Sequence, residues 1–545
     1  MIRFCRPLLC ALLGLSMPGF PGARSADPVP PAPQVLYLDL VAGPTTGGEN
    51  DTGAYVSVFG RHFGTLPGQA HVYFDDHEAV AYRYFGPSRG LRDIQQITVQ
   101  VGAIPPGDKR VTVVVQGRRS SEDIHFLPAP GNILFVDNTK GNDRSARKNR
   151  IDRPWRYLQT PDDGGALSAA RPGDVIVLRG KAVWSDIGYG NRWARFISET
   201  GNAPNGKTGH GYLTIEAYPG EDVHYIAPPG TSGGIHGVGD GYEDFADWVV
   251  ISGLHIESNA MSRSDAAPIN LQAASDHWRI VNNELGPWPS RIDAKAAGIS
   301  GNGLGVKILG NHIHDIEGGT LNHCIYLDTG ATDVEIAYNH LHACHGGNII
   351  QTFDNLGMRR LSRISIHHNL LHDGSRYGLN IADGTTSVHA WNNVIFDTAY
   401  AGIRINVDAR MPVNMLFEHN TLWELCKVKQ PVNAAIINTW NAQSGAILFR
   451  NNIVAAGPLS SCTAGFQDDA QGVVISFADN LWSSLSPPRA DDRALTGDPL
   501  FTDPSAGDFI LLPHSPAAGK AIVTDITDDF MSNQRTQRDI GALDR

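Results

Sequence analysis

Between residues 247 and 482 the chain repeats one short phrase. Apolar, often β-branched residues alternate with polar ones, then come Asn, one variable residue and another apolar residue. The phrase reads GVKILGNHIHD to Asp315, TDVEIAYNHLHAC to Cys344, LSRISIHHNLLHD to Asp373 and SVHAWNNVIFD to Asp397, and continues to GVVISFADNLWSS. The aligned residues are Asn283, Asn311, Asn339, Asn369, Asn393, Asn420, Asn452 and Asn480, spaced 28, 28, 30, 24, 27, 32 and 28 apart. Alternation within each phrase predicts strands rather than helices, and a period of this size predicts a solenoid. Stacked Asn side chains can hydrogen-bond along the coil axis at the strand spacing of about 4.8 Å. No coil buries its apolar side alone, so the coils must stack.

Before this repeat, residues 34–127 run in short β segments (YVSVF, HVYF, ITVQV, RVTVVV) divided by turns such as Pro105-Pro106-Gly107, the pattern of a small β-sandwich. Residues 27–33 are a Pro-rich linker. From 133 onward come a strand, a Gly-Asn-Asp turn, a short helix around Leu167 to Ala170 and a second strand, which together would close the apolar end of the first coil. Residues 181–246 lack periodicity and carry Trp184, Tyr189, Trp193 and Tyr242; an insertion of this kind is expected to build a binding face. The expected fold is all-β: a right-handed parallel β-helix over 133–545, preceded by an immunoglobulin-like sandwich over 34–127.

Composition narrows the setting. Glycine is abundant (59 residues) and charged residues are only 18%, as suits a turn-rich β protein. Arg3 and Arg6, an apolar run from Leu8 to Leu15 and Ala23-Arg24-Ser25 form a secretory signal over residues 1–25. The apolar run is too short to span a bilayer, so no membrane insertion is expected. The net charge of −12 argues against nucleic-acid binding. Cys324, Cys344, Cys426 and Cys462 remain after the signal. In an oxidising compartment they can pair in three ways, with Cys426 and Cys462 on adjacent coils. The basic run Arg144, Arg147, Lys148, Arg150, Arg153 and Arg156 is expected to be a solvated capping loop, and Asp240, Glu243, Asp244 and Asp247 an acidic surface loop.

Two resemblances follow from these phrases. GAYVSVFG (Gly53 to Gly60), HVYFDD and IPPGDKRVTVVVQGRRS resemble the IPT/TIG immunoglobulin-like family, which implies a spacer or a carbohydrate-positioning module. ILFVDNTKGND, RPWRYLQT and RPGDVIVLRG resemble the opening segment of secreted right-handed parallel β-helix proteins, many of them polysaccharide lyases. DPLFTDPSAGDFILLPHSPAAGKA with QRDIGALD resembles their closing turn, which implies a capped last coil. The chain has neither the NGxxE…KSxxN-like phrase of the alginate lyase/chondroitinase B group nor the DPHD motif of mannuronan C5-epimerases. The resemblance therefore implies a fold and a broad class and transfers no catalytic residue.

The candidate chemistry lies between 311 and 410. Each Asn phrase there is followed by a second strand: HCIYLDTG, GGNIIQTFD, YGLNIADG and AGIRINVDAR. Inward Ile403 and Ile405 send Arg404 and Asn406 outward, and the same register turns Tyr326 and Asn380 outward. With His323, His345, Arg376 and Tyr377 in the preceding turns, one outer wall would collect these groups. An extended, anionic polysaccharide could lie on it. Cleavage of a uronate polymer by β-elimination needs a carboxylate-neutralising group, a base for the C5 proton and an acid for the leaving oxygen. Arg404 or Arg376 suits the first role and His323 or His345 the second. Tyr326 suits the third, or both proton transfers if Arg lowers its pKa. Arg376, Tyr377, Asn380 and Asn406 would bind substrate. Asp328, Asp354, Asp383 and Asp408 offer a rival hydrolase or a Ca²⁺ site, though Asp at a strand end is also ordinary turn chemistry. A non-catalytic carbohydrate-binding surface protein is the third reading. His314, His342 and His372, each three residues after an aligned Asn, are expected as a surface ladder. No cofactor is required except, on one reading, calcium, and the chain is expected to be a monomer.

Overall fold

The computed structural model describes residues 31–196, 211–237, 246–261, 266–271, 275–293, 295–354, 357, 361–407, 412–431, 433–439, 444–468 and 474–545. The segment expected to be a signal, and Tyr242, Asp240, Glu243, Asp244 and Asp408, lie outside the described residues.

The repeats wind into three long parallel sheets of 12, 11 and 10 strands. Each coil gives one strand to each sheet in turn, for example Lys307–Leu309, His312–Ile316 and His323–Leu327. Every strand pairs in parallel with its equivalent in the next coil. This is the expected parallel β-helix. The apolar residues of all three sheets meet in one continuous interior, which includes Ile308, Ile313, Ile325, Ile336, Leu341 and Ile350.

The Asn repeat sits at the bend between the first and second sheets. Each side-chain Nδ2 donates to the Oδ1 of the next Asn, at 2.9–3.0 Å for all seven steps. The same Oδ1 also accepts the backbone N–H of the Asn below it, as from Asn283 to Asn311 at 3.0 Å. All eight side chains are buried. The residue before each Asn is left-handed: Asn282, Gly310, Tyr338, His368, Asn392, His419, Asn451 and Asp479 have φ between 51° and 63°. The bend has thus traded a backbone ladder for a side-chain one, which satisfies groups that would otherwise be orphaned inside the corner.

Residues 34–128 form two sheets, one of four strands and one of six. They enclose Val56, Val58, Val72, Phe74, Val99, Val113 and Phe126. The sandwich docks on the outer face of the first long sheet. Tyr37, Phe59, Leu91 and Ile94 pack with Leu309, Ala337 and Tyr338, and Leu40 and Tyr55 with Ile133, Val175 and Val250. Arg279 donates to the Leu38 and Asp39 carbonyls. Arg89 bridges Asp222 and Glu284 at 2.8 and 2.7 Å.

Two expectations need adjustment. The closing tail does more than cap. Leu495–Thr496 pairs with the last strand of the second sheet. The chain then runs back along the outside of the coils, meeting Asn451 at Ile522, Asn392 at Asp528 and His368 at Asp529, and after Ser532 it folds back so that the Ala542 N–H bonds Thr421. It reaches the sandwich, where Arg61 donates to Ser532 at 2.7 Å. Trp184 and Trp193 do not build a binding face; both are fully buried, and Trp193 stacks on Tyr225 at 4.3 Å inside the core. Large aromatics fill the wide first coils, where no preceding coil supplies cover. In the basic run, Lys148 pairs with Asp174 and Arg150 with Asp152, and the expected short helix is Ala166–Ala169. Two disulfides form. Cys426–Cys462 joins adjacent coils, and Cys324–Cys344 ties the second sheet to the third.

Replacing a mid-ladder Asn tests the bend. Asn369→Leu removes the links to Asn339 and Asn393 and strands buried polar groups. It is expected to lower unfolding stability by about 1–3 kcal/mol for each orphaned group, read by chemical denaturation. Lys429→Ala, an exposed change, is expected to leave it within about 0.5 kcal/mol.

Candidate polysaccharide-binding wall

The third sheet sets the candidate residues in register. Ser300, Tyr326, Gln351, Asn380 and Arg404 are successive partners. Ile325, Ile381, Ile403 and Ile405 turn into the core, so their neighbours in the strands turn outward. Tyr326 and Arg404 share this outer column but stand three strand steps apart, roughly 14 Å along the axis. Gln351 escapes selection from the sequence although its offset in GGNIIQTFD matches that of Tyr326 and Asn380. Its Oε1 accepts from Asn380 Nδ2 at 3.0 Å.

Around Tyr377 two cations converge. The Arg404 guanidinium carbon lies 5.2 Å from the Tyr377 ring centre and that of Arg376 lies 5.7 Å from it. Arg376 also faces Tyr400 at 5.7 Å, and the two tyrosines meet edge to face at 5.4 Å. Arg404 Nη2 donates to Asn406 Oδ1 at 3.1 Å and Thr439 Oγ1 at 3.3 Å. Burial lowers the Arg404 pKa, with Arg376 adding repulsion. Arg376 Nε, Arg404 Nε and Asn380 Oδ1 are buried with no hydrogen-bond partner among the described residues. Among the described residues neither guanidinium has a carboxylate within ion-pair distance. Tyr400, Thr439 and Gln351 are the members of this group that sequence reasoning misses. Tyr400 and Thr439 sit at strand ends, where no alternation marks which way a side chain points.

The proton-transfer candidates are placed less favourably. His323 is 2% exposed, and its Nδ1 accepts the Asn348 N–H at 2.9 Å. That bond puts the ring proton on Nε2. Burial and the nearby Arg376 charge push the imidazole pKa down to about 3. His323 is therefore a neutral donor, with the lone pair a base would use already engaged. His345 stands in the turn after Cys344, with its ring 45% exposed and Nε2 3.4 Å from Asp373, beside the bend that leads out of the second sheet. Tyr326 stacks on His323 at 5.5 Å. Its pKa is raised by burial and by Asp328 and Asp354. The lowering by Arg that double duty for Tyr326 would need is not seen: Arg404 stands three strand steps away, and burial raises the phenol instead.

The carboxylates serve the turns. Asp328 Oδ1 accepts the Thr329 N–H. Asp354, 5% exposed, accepts the Thr329 hydroxyl at 2.6 Å and donates its backbone N–H to the Asp383 carbonyl at 2.7 Å. Among the described residues, the three-ligand sets with mutually close donor atoms lie elsewhere, on the second sheet. The expected histidine ladder exists: His314, His342 and His372 are register partners, and a second column, His312 and His340, runs beside it. A cavity of ≈ 400 Å³ lies between the sandwich and the coils, lined by Arg89, Glu216, Asp222 and Glu284 among others. It is not on the third sheet.

No protein-family model and no curated protein matches this chain. Among solved structures, the Dettilon tailspike protein is similar at 12% identity and a TM-score of 0.38, covering 60% of each chain. A mutant of AlyGC, a PL6 family alginate lyase, is similar at 14% identity and a TM-score of 0.33, covering 71% of this chain and 57% of that one. Among the described residues no helix is long and apolar enough to cross a membrane.

Several buried imidazoles are held neutral in the fold. Burial lowers the pKa of His236 and His419 well below the ordinary 6.5 and that of His323 to about 3. Unfolding frees each to take a proton below about pH 6.5. The unfolded chain then binds more protons than the folded one, so stability falls as pH falls. The denaturation midpoint is expected to drop steadily from about pH 7 to about pH 4. Replacing His323 with Gln should flatten part of that slope.

Proposed function

We propose that this chain is a secreted enzyme that cleaves a uronate-containing polysaccharide by β-elimination on the third sheet. The observation that carries the reading is the pair of guanidiniums, Arg376 and Arg404, which flank Tyr377 with buried Nε–H donors that no group among the described residues satisfies. Buried donors of this kind are costly unless a ligand completes them. A sugar carboxylate is a planar acceptor that suits two Arg forks.

In this reading Arg376 and Arg404 bind the carboxylate of one uronosyl unit. Their charge stabilises the enolate that forms as the C5 proton leaves. Tyr377, between the two cations, acts as tyrosinate to take the C5 proton and as the resulting phenol gives it to the leaving O4. Electrons from the C5–H bond form the C4–C5 double bond as the C4–O bond breaks, and the leaving oxygen takes a proton. Asn380 and Gln351 on the Arg404 column, with Asn406 two residues along the Arg404 strand, hold sugar hydroxyls. Tyr326 and the neutral His323, two or three rungs away, bind a neighbouring unit of the polymer instead of the reacting one. The sandwich, in this reading an IPT/TIG-like module, packs on the first sheet and not on the third among the described residues.

The test is turnover on a panel of polyuronates and glycosaminoglycans, with and without calcium. Ultraviolet absorbance of unsaturated uronosyl ends and new reducing ends are followed together. Both signals are expected to rise in step. Arg404→Ala and Tyr377→Phe are each expected to lose about 100-fold or more in kcat. Tyr326→Phe is expected to raise KM while kcat falls less than about tenfold. Reducing ends without the absorbance would instead indicate hydrolysis, with Asp328, Asp354 and Asp383 as the carboxylates to test. Binding with neither signal would identify a carbohydrate-binding surface protein.

A further inference from the structure

The outer face of the second sheet carries a feature the elimination reading does not use. Stacked coils place His255, Glu284, His312 and His340 in one register column and His314, His342 and His372 in the next. A single column of imidazoles spaced by one strand step cannot surround an ion. Two columns side by side can, because donors then approach from two directions.

The side chains do converge across the columns. His312 Nε2 lies 2.9 Å from His342 Nε2, and His340 Nε2 lies 2.8 Å from His372 Nε2. At that separation one nitrogen of each pair donates its proton and the other offers its lone pair. The rings of His312 and His340 stack at 5.1 Å, and His340 and His342 are 4.7 Å apart. Donor atoms of His312, His340 and His342 all fall within 4.8 Å of one another. Donor atoms of Glu284, His312 and His314 form a second such set that shares His312. His314 Nε2 is buried without a hydrogen-bond partner and stands 3.7 Å from Glu284 Oε1.

We propose that His312, His340 and His342 form a binding site for a divalent transition metal of the Zn²⁺ class. Tetrahedral Zn²⁺ with Zn–N bonds of 2.0–2.1 Å sets its nitrogens about 3.3 Å apart. The 2.9 Å His312–His342 contact and the 4.8 Å bound on the other pairs bracket that value. Imidazole donors without thiolates favour Zn²⁺, Cu²⁺ or Ni²⁺ over Ca²⁺ or Mg²⁺. Glu284, held on one side by Arg89 at 2.7 Å, supplies nearby negative charge against the ion, and Arg92 opposes it. His312 lines the cavity between sandwich and coils, which gives the ion a path from solvent. The site is on a different sheet from the proposed elimination centre, so the two proposals stand or fall separately.

The full mature chain, stripped with a chelator, would be titrated with ZnCl₂ by calorimetry and with CoCl₂ in the visible. One tightly bound Zn²⁺ per chain is expected, together with the intense d–d bands of tetrahedral Co²⁺. His340→Gln and His342→Gln are each expected to weaken Zn²⁺ binding at least about tenfold, while His389→Gln on the first sheet leaves it unchanged. Two results would overturn the site: parent protein showing only weak octahedral Co²⁺ bands or no saturable Zn²⁺ uptake, or the two glutamine variants binding Zn²⁺ like the parent. The cobalt spectrum needs no variant, so it tests the site whether or not a substituted chain folds.

Discussion

The hydrogen-bonded column of buried asparagines is the constraint on which the rest of this molecule depends. A parallel coil must turn sharply between sheets, and a turn inside a packed stack leaves backbone groups with no water to meet them. Asn solves this because one amide offers two donors and an acceptor with two lone pairs. Each amide serves its own bend and the next, from Asn283 to Asn480. The ladder fixes the axial register, and the register decides which side chains meet across coils. The guanidinium pair on the third sheet and the imidazole cluster on the second both owe their geometry to that column.

The fold is legible in the sequence because its signal is periodic and local. An Asn at a nearly constant interval, flanked by alternating apolar residues, specifies both the strand and its face. The same alternation places Arg404, Asn380 and Tyr326 on one outward column. What alternation does not encode is distance along the axis. Tyr326 and Arg404 face the same way, yet the count of intervening coils separates them and leaves the phenol governed by Asp328, Asp354 and burial. Turn residues carry still less information. Sequence proximity groups His345 with the wall, whereas its turn directs it to Asp373. Trp184 and Trp193 sit in an aperiodic stretch, and only the assembled first coils reveal that they fill the interior. The left-handed residue before each ladder Asn varies in type from Gly to Tyr and His, so composition alone does not announce it.

The two polar faces of the rod have different electrostatic character. On the third sheet, guanidiniums and aromatic rings leave donors unfilled, which favours an anionic partner. On the second, clustered imidazoles offer lone pairs to the cation proposed there. A solenoid can keep these chemistries apart because each sheet repeats its own column independently, and substitutions on one do not disturb the packing of another beyond the shared interior. Cys324–Cys344 crosses from one face to the other, with His323 beside one cysteine and His345 beside the other, and so anchors the turn between them.

The returning tail changes how such a rod comes apart. Stacked repeats ordinarily fray from their ends, because each coil is held only by its neighbours. Here the final segment lies across coils from Asn451 back to His368 and is fastened to the amino-terminal sandwich through Arg61 and Ser532. Peeling off the last coil would require releasing a strap that also grips the middle of the stack and a separate domain. The rod is thereby joined into one cooperative unit, and its loss of structure becomes a single event instead of a progressive unzipping.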